Sequence, residues 1–197
     1  MTRRAATSVL LVLAAASACS RGGDPANRAE LVRLRADKDL VMRGAESPFS
    51  TEGRKSFHGL RYFGADPSWD VRAVLDPTAA GDTIGLLTSK GTHDRFERVG
   101  RVLFERRGKK YSLVLYRSLA EGTLFLPFSD ATSGRETYGA GRYLDPVATP
   151  EGALRLDFNR AYNPYCAYDT RWICPIAPPE NRLDVRVTAG EKTYDAH

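Results

Sequence analysis

The chain has 197 residues, and its 29 Lys and Arg against 24 Asp and Glu give a formal net charge of +5 at pH 7. Both signs are mixed along the chain and the longest basic run is Arg106–Lys110, so a nucleic-acid partner is not expected. The length of the chain suits one globular domain with a hydrophobic core.

The N-terminal segment has the features of an export signal. Arg3 and Arg4 precede the apolar run Val9–Ala16, which is too short to span a membrane, and small residues lead to Cys19. This pattern resembles a bacterial lipoprotein signal, which is cut before the cysteine and lipidated on its sulfur. We therefore predict a signal peptide at residues 1–18, lipidation of Cys19, and a location in the cell envelope, anchored to the periplasmic face of a membrane. An ordinary secretory signal beside an incidental cysteine is the alternative.

The other two cysteines are then a pair in an oxidising compartment. Cys166 and Cys174 are predicted to form a disulfide, because disulfides persist outside the cytoplasm. A redox-active or nucleophilic Cys166 and two simply buried thiols are the alternatives. With three histidines and no C-x-x-C motif, the sequence predicts no metal site, and nothing in it indicates a cofactor.

A short polar tether at residues 19–23 leads into a predicted helical segment at residues 24–44. Asp24 is the expected N-cap, Pro25 the first helical residue and Gly44 the terminator. The apolar side chains expected to pack against the body are Leu31, Leu34, Leu40 and Val41.

From residue 45 to 197 the pattern is that of short strands separated by turns. Apolar and polar residues alternate in segments that we predict to be strands, and no β-α-β alternation occurs. These strands are Val71–Leu75, Thr83–Thr88, Arg101–Glu105, Tyr111–Tyr116, Thr123–Phe128, Thr137–Leu144, Ala153–Phe158 and Leu183–Thr188. The predicted fold is mainly β: a single-domain antiparallel β-barrel or sandwich preceded by one N-terminal α-helix.

The C-terminal half contains several long motifs. They are Phe125–Gly134, Thr137–Asp145, Leu156–Tyr168, Cys174–Asn181 and Ala189–Lys192. Together they resemble the bacterial and archaeal family known as domain of unknown function 1684, many members of which look like exported lipoproteins. The resemblance implies a fold but no activity, substrate or catalytic residue.

The segment Asp157–Trp172 is the most distinctive part of these motifs, because it combines aromatic, amide and carboxylate side chains. With its neighbours it supplies groups that can orient a polar ligand and stack against it. The candidate ligand-binding residues are Arg142, Tyr143, Asp145, Asp157, Asn159, Asn163, Tyr165, Tyr168, Trp172, Glu180 and Asn181.

Each of these residue types also has a structural interpretation. Arg142 can clamp an anionic group, or it can form an internal ion pair with Asp145 or Asp157. The tyrosines and Trp172 can form an aromatic wall for a ligand, or a plug that covers the mouth of a barrel. The asparagines can equally fix buried turns.

These alternatives lead to competing functions. The first is a binding or interaction module with a polar and aromatic pocket, whose partner is a small polar ligand or an envelope protein. The alternative is a hydrolase of a small polar envelope substrate that uses carboxylates of Asp145, Asp157 or Glu180 with Arg142 as charge clamp. A thiol redox role for Cys166 is a third hypothesis.

Overall fold

The computed structural model describes residues 25–194. The predicted signal peptide, Cys19 and the tether lie outside the described residues. Within the described part, helix α1 (Pro25–Arg43) and the short helix α2 (Thr51–Lys55) precede the strands. None of the described helices has the length and apolar composition that a membrane crossing requires.

The described residues form a nine-stranded, mainly antiparallel sheet that curls into a half-barrel. Its strands are β1 (Asp70–Asp76), β2 (Thr83–Leu87), β3 (His93–Arg106), β4 (Lys109–Ser118), β5 (Leu124–Asp130), β6 (Arg142–Leu144), β7 (Val147–Ala148), β8 (Leu154–Asp157) and β9 (Arg182–Leu183). Their order is β6-β5-β4-β3-β1-β8-β7, with β2 paired to β3 and β9 paired to β5. The predicted class, a mainly β fold behind one N-terminal helix, is confirmed.

The hairpin of β3 and β4 is the central element of this sheet. β4 pairs over its full length with Phe96–Arg106 of β3 around a two-residue turn, Arg107-Gly108, in which both residues have positive φ, as a type I′ turn requires. The register shifts at Gly100, where φ is +145° and a Cβ would lie 2.4 Å from the Asp76 carbonyl oxygen. The resulting bulge bends β3 and helps the sheet to curl.

The main core lies on the inner face of the half-barrel. Phe158 is fully buried there and meets the rings of Trp69, Phe104 and Phe128 with centroids 5.2 to 5.6 Å apart. Aromatic pairs at such distances add to the free energy of apolar burial. Phe158 comes directly after β8, so the start of the distinctive segment is anchored in the core.

The outer face of β4 is also covered. Leu113, Val114, Leu115 and Tyr116 are all buried. β4 and β5 pair at only two registered positions and then diverge, and residues 178–183 lie where they separate. There the Asn181 side chain accepts from Val114 N at 2.6 Å and donates to the carbonyl oxygens of Val114 and Pro127 at 2.8 Å. The chain therefore uses a side-chain amide where strand pairing stops.

Helix α1 ends at Arg43, before Gly44, as predicted, but it packs through a different face. Leu31 is buried, whereas Leu34, Leu40 and Val41 are 40–66% exposed. The packed face is largely polar. It comprises Leu31, Arg35, Lys38, Asp39 and Met42, which lie at helical spacing. Lys38 Nζ donates to the fully buried Glu191 at 2.7 Å, so an ion pair with the end of the chain holds this helix.

Two predicted strands are shorter than expected. Of Thr137–Leu144 only β6 is a strand, and of Leu183–Thr188 only the first residue belongs to one, β9. The backbone of residues 185–187 is instead fixed by Ala131 N, which donates to the Val185 carbonyl oxygen, and by Asp130, which accepts from Val187 N. Alternating residues thus satisfy their hydrogen bonds without a regular partner strand.

Candidate ligand-binding cleft

A cleft of about 790 Å³ opens on the outer side of the half-barrel. One wall comes from the start of β3, the β4–β5 connection and the start of β5, and the other from residues 143–145 and 162–175. The side chains that carry its chemistry are Asp94, Arg95, Phe96, Glu121, Phe125, Tyr143, Asp145, Tyr162, Asn163, Tyr165 and Trp172. Its size matches a small organic ligand.

Aromatic rings form a continuous surface in the cleft. Phe96 and Phe125 stack with centroids 5.1 Å apart, Phe125 meets Tyr143 edge to face at 4.6 Å, and Tyr143 meets Tyr162 at 5.8 Å. Tyr165 lies beside Trp172, with ring centroids 5.2 Å apart. The rings hold one another in place, so the apolar surface exists before a ligand arrives.

Hydrogen bonds fix the polar ends of these rings. The Tyr143 hydroxyl donates to the Pro175 carbonyl oxygen at 2.5 Å, and Trp172 Nε1 donates to the Pro48 carbonyl oxygen at 2.6 Å. The Tyr162 hydroxyl donates to Asp145 Oδ1 at 3.0 Å. Tyr165 is 47% exposed at the opening. The wall is therefore rigid, and Tyr165 is its most accessible ring.

Asp145 is the carboxylate with the most distinctive environment in the cleft. Its side chain reaches solvent, but the surrounding protein displaces much of the water around it and raises its pKa above the ordinary value for Asp. The hydrogen bond from Tyr162 opposes this rise, and the negative charge of Glu121 adds to it. Asp145 is therefore a carboxyl group that gains from a cationic or hydrogen-bond-donating neighbour.

Asn163 connects the cleft to the interior. It is 1% exposed, and its Nδ2 donates to Glu191 Oε1 at 2.9 Å and to the Lys192 carbonyl oxygen at 2.8 Å. Its Oδ1 has no hydrogen-bond partner among residues 25–194. A buried acceptor without a partner costs free energy, so Asn163 Oδ1 is a group that gains from a hydrogen-bond donor.

The structure brings together five of the predicted ligand-binding residues. Tyr143, Asp145, Asn163, Tyr165 and Trp172 all line the cleft. They come from β6, the residue that follows it and the distinctive segment, which fold back on one another through the backbone bonds between Tyr143 and Tyr162. The other predicted residues face elsewhere and have internal partners.

Arg142 lies in the interior, away from the cleft. It is 1% exposed, and its guanidinium pairs with Asp130 at 2.9 Å and donates to the carbonyl oxygens of Val187, Ala189 and Glu191. The prediction of an ion pair with Asp145 or Asp157 is wrong in its partner, because the carboxylate that shares its buried position is Asp130. The hydrogen bonds that Arg142 donates to these carbonyl oxygens hold β6 against the C-terminal segment.

Asp157 and Asn159 build a turn below the sheet. Asp157 accepts from the backbone N–H and the Nδ2 of Asn159 at 3.1 and 2.9 Å, and it pairs with Arg155 and Arg160. The Asn159 side chain also accepts from Asp66 N and donates to the Asp66 carbonyl oxygen. These contacts are structural, since they cap the turn that follows β8.

The remaining predicted residues have equally defined positions. Tyr168 donates to Glu191 Oε1 and packs against Phe49 and Tyr194. Glu180 is exposed and accepts from the Tyr116 hydroxyl at 3.0 Å, and Asn181 joins β4 to β5. These three residues therefore stabilise the fold around the cleft and do not line it.

The cysteines are free thiols in the structure, so the predicted disulfide is not formed. Cys166 N–H donates to Cys174 Sγ at 3.1 Å, and the Tyr138 hydroxyl donates to Cys166 Sγ at 3.8 Å. The short helical turn at Tyr165–Ala167 thus places the sulfur atoms as hydrogen-bond partners rather than at bonding distance. Donation from the Cys174 thiol lowers the pKa of Cys166 to about 6.

Sequence reasoning missed the part of the cleft that comes from the sheet. Asp94, Arg95, Phe96, Glu121 and Phe125 lie outside the distinctive segment. Phe125 had a signal, because it opens the first of the family motifs. The other four carry no local pattern that separates them from ordinary strand and loop residues.

Fold and cleft together define a mainly β half-barrel protein with an aromatic, carboxylate-lined cleft on its outer side. The chain belongs to the family described as "Protein of unknown function (DUF1684)", whose model matches residues 55–192. A similar solved structure is the solution NMR structure of an uncharacterised protein from Haloarcula marismortui, with 35% sequence identity and a TM-score of 0.66. The match covers 85% of this chain and 95% of that chain. None of the curated proteins matches the sequence.

Proposed function

We propose that this protein is a binding lipoprotein of the cell envelope that holds a small organic ligand in the outer cleft. The observation that supports the proposal is the cleft itself, in which preformed aromatic rings surround a few polar groups, and one of these, Asn163 Oδ1, has no hydrogen-bond partner among residues 25–194. Binding sites typically combine a mostly apolar concave surface with a few convergent polar groups.

The experiment is native mass spectrometry of the full chain, released from membranes in mild detergent. A bound ligand adds mass that disappears on denaturation. Tyr165→Ala should lower the fraction of chains that carry this mass, because Tyr165 is the exposed ring at the opening, and Leu103→Ala on the far part of β3 is the control at similar exposure. An equal ligand mass on both variants, with unchanged melting temperatures, would place the ligand outside the cleft and overturn the proposal.

The envelope location is proposed from the sequence of residues 1–19. It has a direct test, which is the mass of the mature protein. Lipidation adds diacylglyceryl to a chain that begins at Cys19, and Cys19→Ser should give a chain without lipid that is recovered from the soluble fraction. A wild-type chain that begins at another residue and carries no lipid would contradict this part of the proposal.

A carboxylate-dependent hydrolase is the second candidate, and Asp145 favours it. A carboxyl group of raised pKa beside a tyrosine hydroxyl in a cleft has the character of a general acid. Asp157 and Glu180, the other predicted carboxylates, lie outside the cleft, so Glu121 is the nearer second carboxyl. Asp145→Asn should then lower the turnover of a panel of esters, amides and glycosides by at least about 100-fold. Turnover that survives Asp145→Asn would exclude this mechanism.

A further inference from the structure

The charges in the cleft are unbalanced. Its lining contains the carboxylates of Asp94, Glu121 and Asp145 and one basic side chain, Arg95. Lys38 lies behind the wall, with its Nζ 5.2 Å from the centre of the Tyr162 ring, but it is paired with the buried Glu191 at 2.7 Å. At neutral pH the cleft therefore presents excess negative charge, although the whole chain is positive.

The aromatic surface has the same preference. The faces of Tyr and Trp rings carry negative potential and attract cations within about 6 Å of the ring centre. Tyr165 and Trp172 stand together on one wall, and Tyr162 stands beside Asp145. A cation in the cleft thus meets rings and carboxylates at once.

The third observation concerns Asn163 and is independent of the three carboxylates that line the cleft. Its Oδ1 is a buried acceptor without a partner among residues 25–194, in a side chain that is 1% exposed and lines the cleft. An acceptor of this kind is satisfied by an N–H donor, whereas a quaternary ammonium has none to give.

We propose that the cleft binds an organic cation that carries N–H donors, a primary ammonium or a guanidinium on an apolar or aromatic body. This inference rests on the proposed binding function and names the class of its ligand. The charged group lies toward Asp145 and Asn163, and the body lies against Tyr165 and Trp172. An anionic ligand of the same shape is repelled by the three carboxylates.

The test measures binding of 2-phenylethylammonium to the full chain by isothermal titration calorimetry, with Trp172 fluorescence as a second readout. Two probes of similar shape accompany it: 3-phenylpropionate, which is an anion, and the trimethylated ammonium, which has no N–H. The primary ammonium should bind at least about tenfold more tightly than either, since each missing charged hydrogen bond costs a factor of this order.

Variants then locate the cation. Asp145→Asn retains an acceptor for the Tyr162 hydroxyl but loses the negative charge, and it should weaken the binding of 2-phenylethylammonium about tenfold. Tyr165→Ala should weaken this binding about fivefold. Asp184→Asn is the matched control, since the Asp184 side chain is 98% exposed and lies outside the cleft, and it should leave the affinity unchanged. Melting temperatures near that of the wild type show that the variants fold.

The outcomes separate this inference from the proposed function. If 3-phenylpropionate binds as tightly as the ammonium, if the ammonium does not bind at millimolar concentration, or if Asp145→Asn and Asp184→Asn behave alike, the cation is the wrong ligand. A neutral or anionic ligand found by native mass spectrometry and lost in Tyr165→Ala would overturn the cation and leave the binding function standing. A ligand-bound fraction that is equal in Tyr165→Ala and Leu103→Ala would overturn the binding function itself.

Discussion

Asn181 illustrates how single polar residues hold this fold together. Its buried amide serves three backbone groups of β4 and β5, and truncation leaves Val114 N–H and two carbonyl oxygens without that partner. Asn181→Ala should therefore lower the free energy of unfolding by about 2–4 kcal/mol and the melting temperature by roughly 5–10 °C. Glu180→Gln, at the exposed neighbouring position, should change stability by less than about 0.5 kcal/mol. Denaturant titration of both variants checks this, and equal losses would contradict it.

Cys166 gives a pH-dependent prediction. Because donation from the Cys174 thiol lowers the pKa of Cys166 to about 6, the reactive thiolate should be present above pH 6 and lost as the pH falls below it. Alkylation of the folded protein by iodoacetamide, followed by mass spectrometry, should rise with a midpoint near pH 6. Cys174→Ala removes the donor and should move the midpoint toward the ordinary value of about 8.5. A wild-type midpoint near 8.5, or an intact protein with no free thiol, would refute the prediction.

Helix α1 shows what can be predicted at the scale of an element and what cannot. The sequence predicts its C-terminal end correctly, because helix termination is local: Arg43 is its last residue and Gly44 follows it. Its packed face was predicted from apolar residues and is mostly polar, because its partner is the buried Glu191 at the other end of the chain. The two strands of the β3–β4 hairpin were predictable for a similar local reason, since only the short run Arg106–Lys110 with its glycine separates them.

The cleft also has a part that the local sequence predicts and a part that depends on contacts between distant residues. Residues of the distinctive segment were recognisable by their composition, and several of them line the cleft. Asp94 and Glu121 were not, because they reach the cleft only through the pairing of β3 with β4 and the connection to β5. Arg142 was misassigned because a buried guanidinium that binds carbonyl oxygens has the same sequence signature as a ligand clamp.

The polar docking of α1 can be tested within the helix itself. Lys38→Met keeps the length and helix propensity of the side chain but leaves the Glu191 carboxylate buried without its cation. We expect a loss of about 2–3 kcal/mol in the free energy of unfolding. Leu40 is 66% exposed, so Leu40→Ala should lower the free energy of unfolding by less than about 0.5 kcal/mol. The opposite ranking in urea titrations would mean that the apolar side chains hold the helix.

At the scale of the whole molecule, contacts between distant parts of the chain join the helix, the sheet and the C-terminal segment. Lys38 pairs with Glu191, Arg35 donates to the Asn159 carbonyl oxygen at 3.3 Å, and Asn27 donates to Asp70 of β1 at 3.3 Å. Glu191 in turn accepts from Asn163, which lines the cleft. The first helix, the core and the cleft are therefore expected to unfold as one cooperative unit.

Hydrogen exchange and thermal unfolding test this cooperativity. Amides in the middle of α1 should be protected nearly as strongly as those of β4, because opening the helix breaks the same contacts that hold the C-terminal segment. Helix content by circular dichroism and the fluorescence of Trp69 and Trp172 should then change at one melting temperature. In Lys38→Met the helix loses its ion pair, so its amides should exchange faster than those of β4 while the sheet remains protected. Fast exchange of α1 in the wild type would show instead that the helix is an independent arm, and the body with its cleft would then be stable without it.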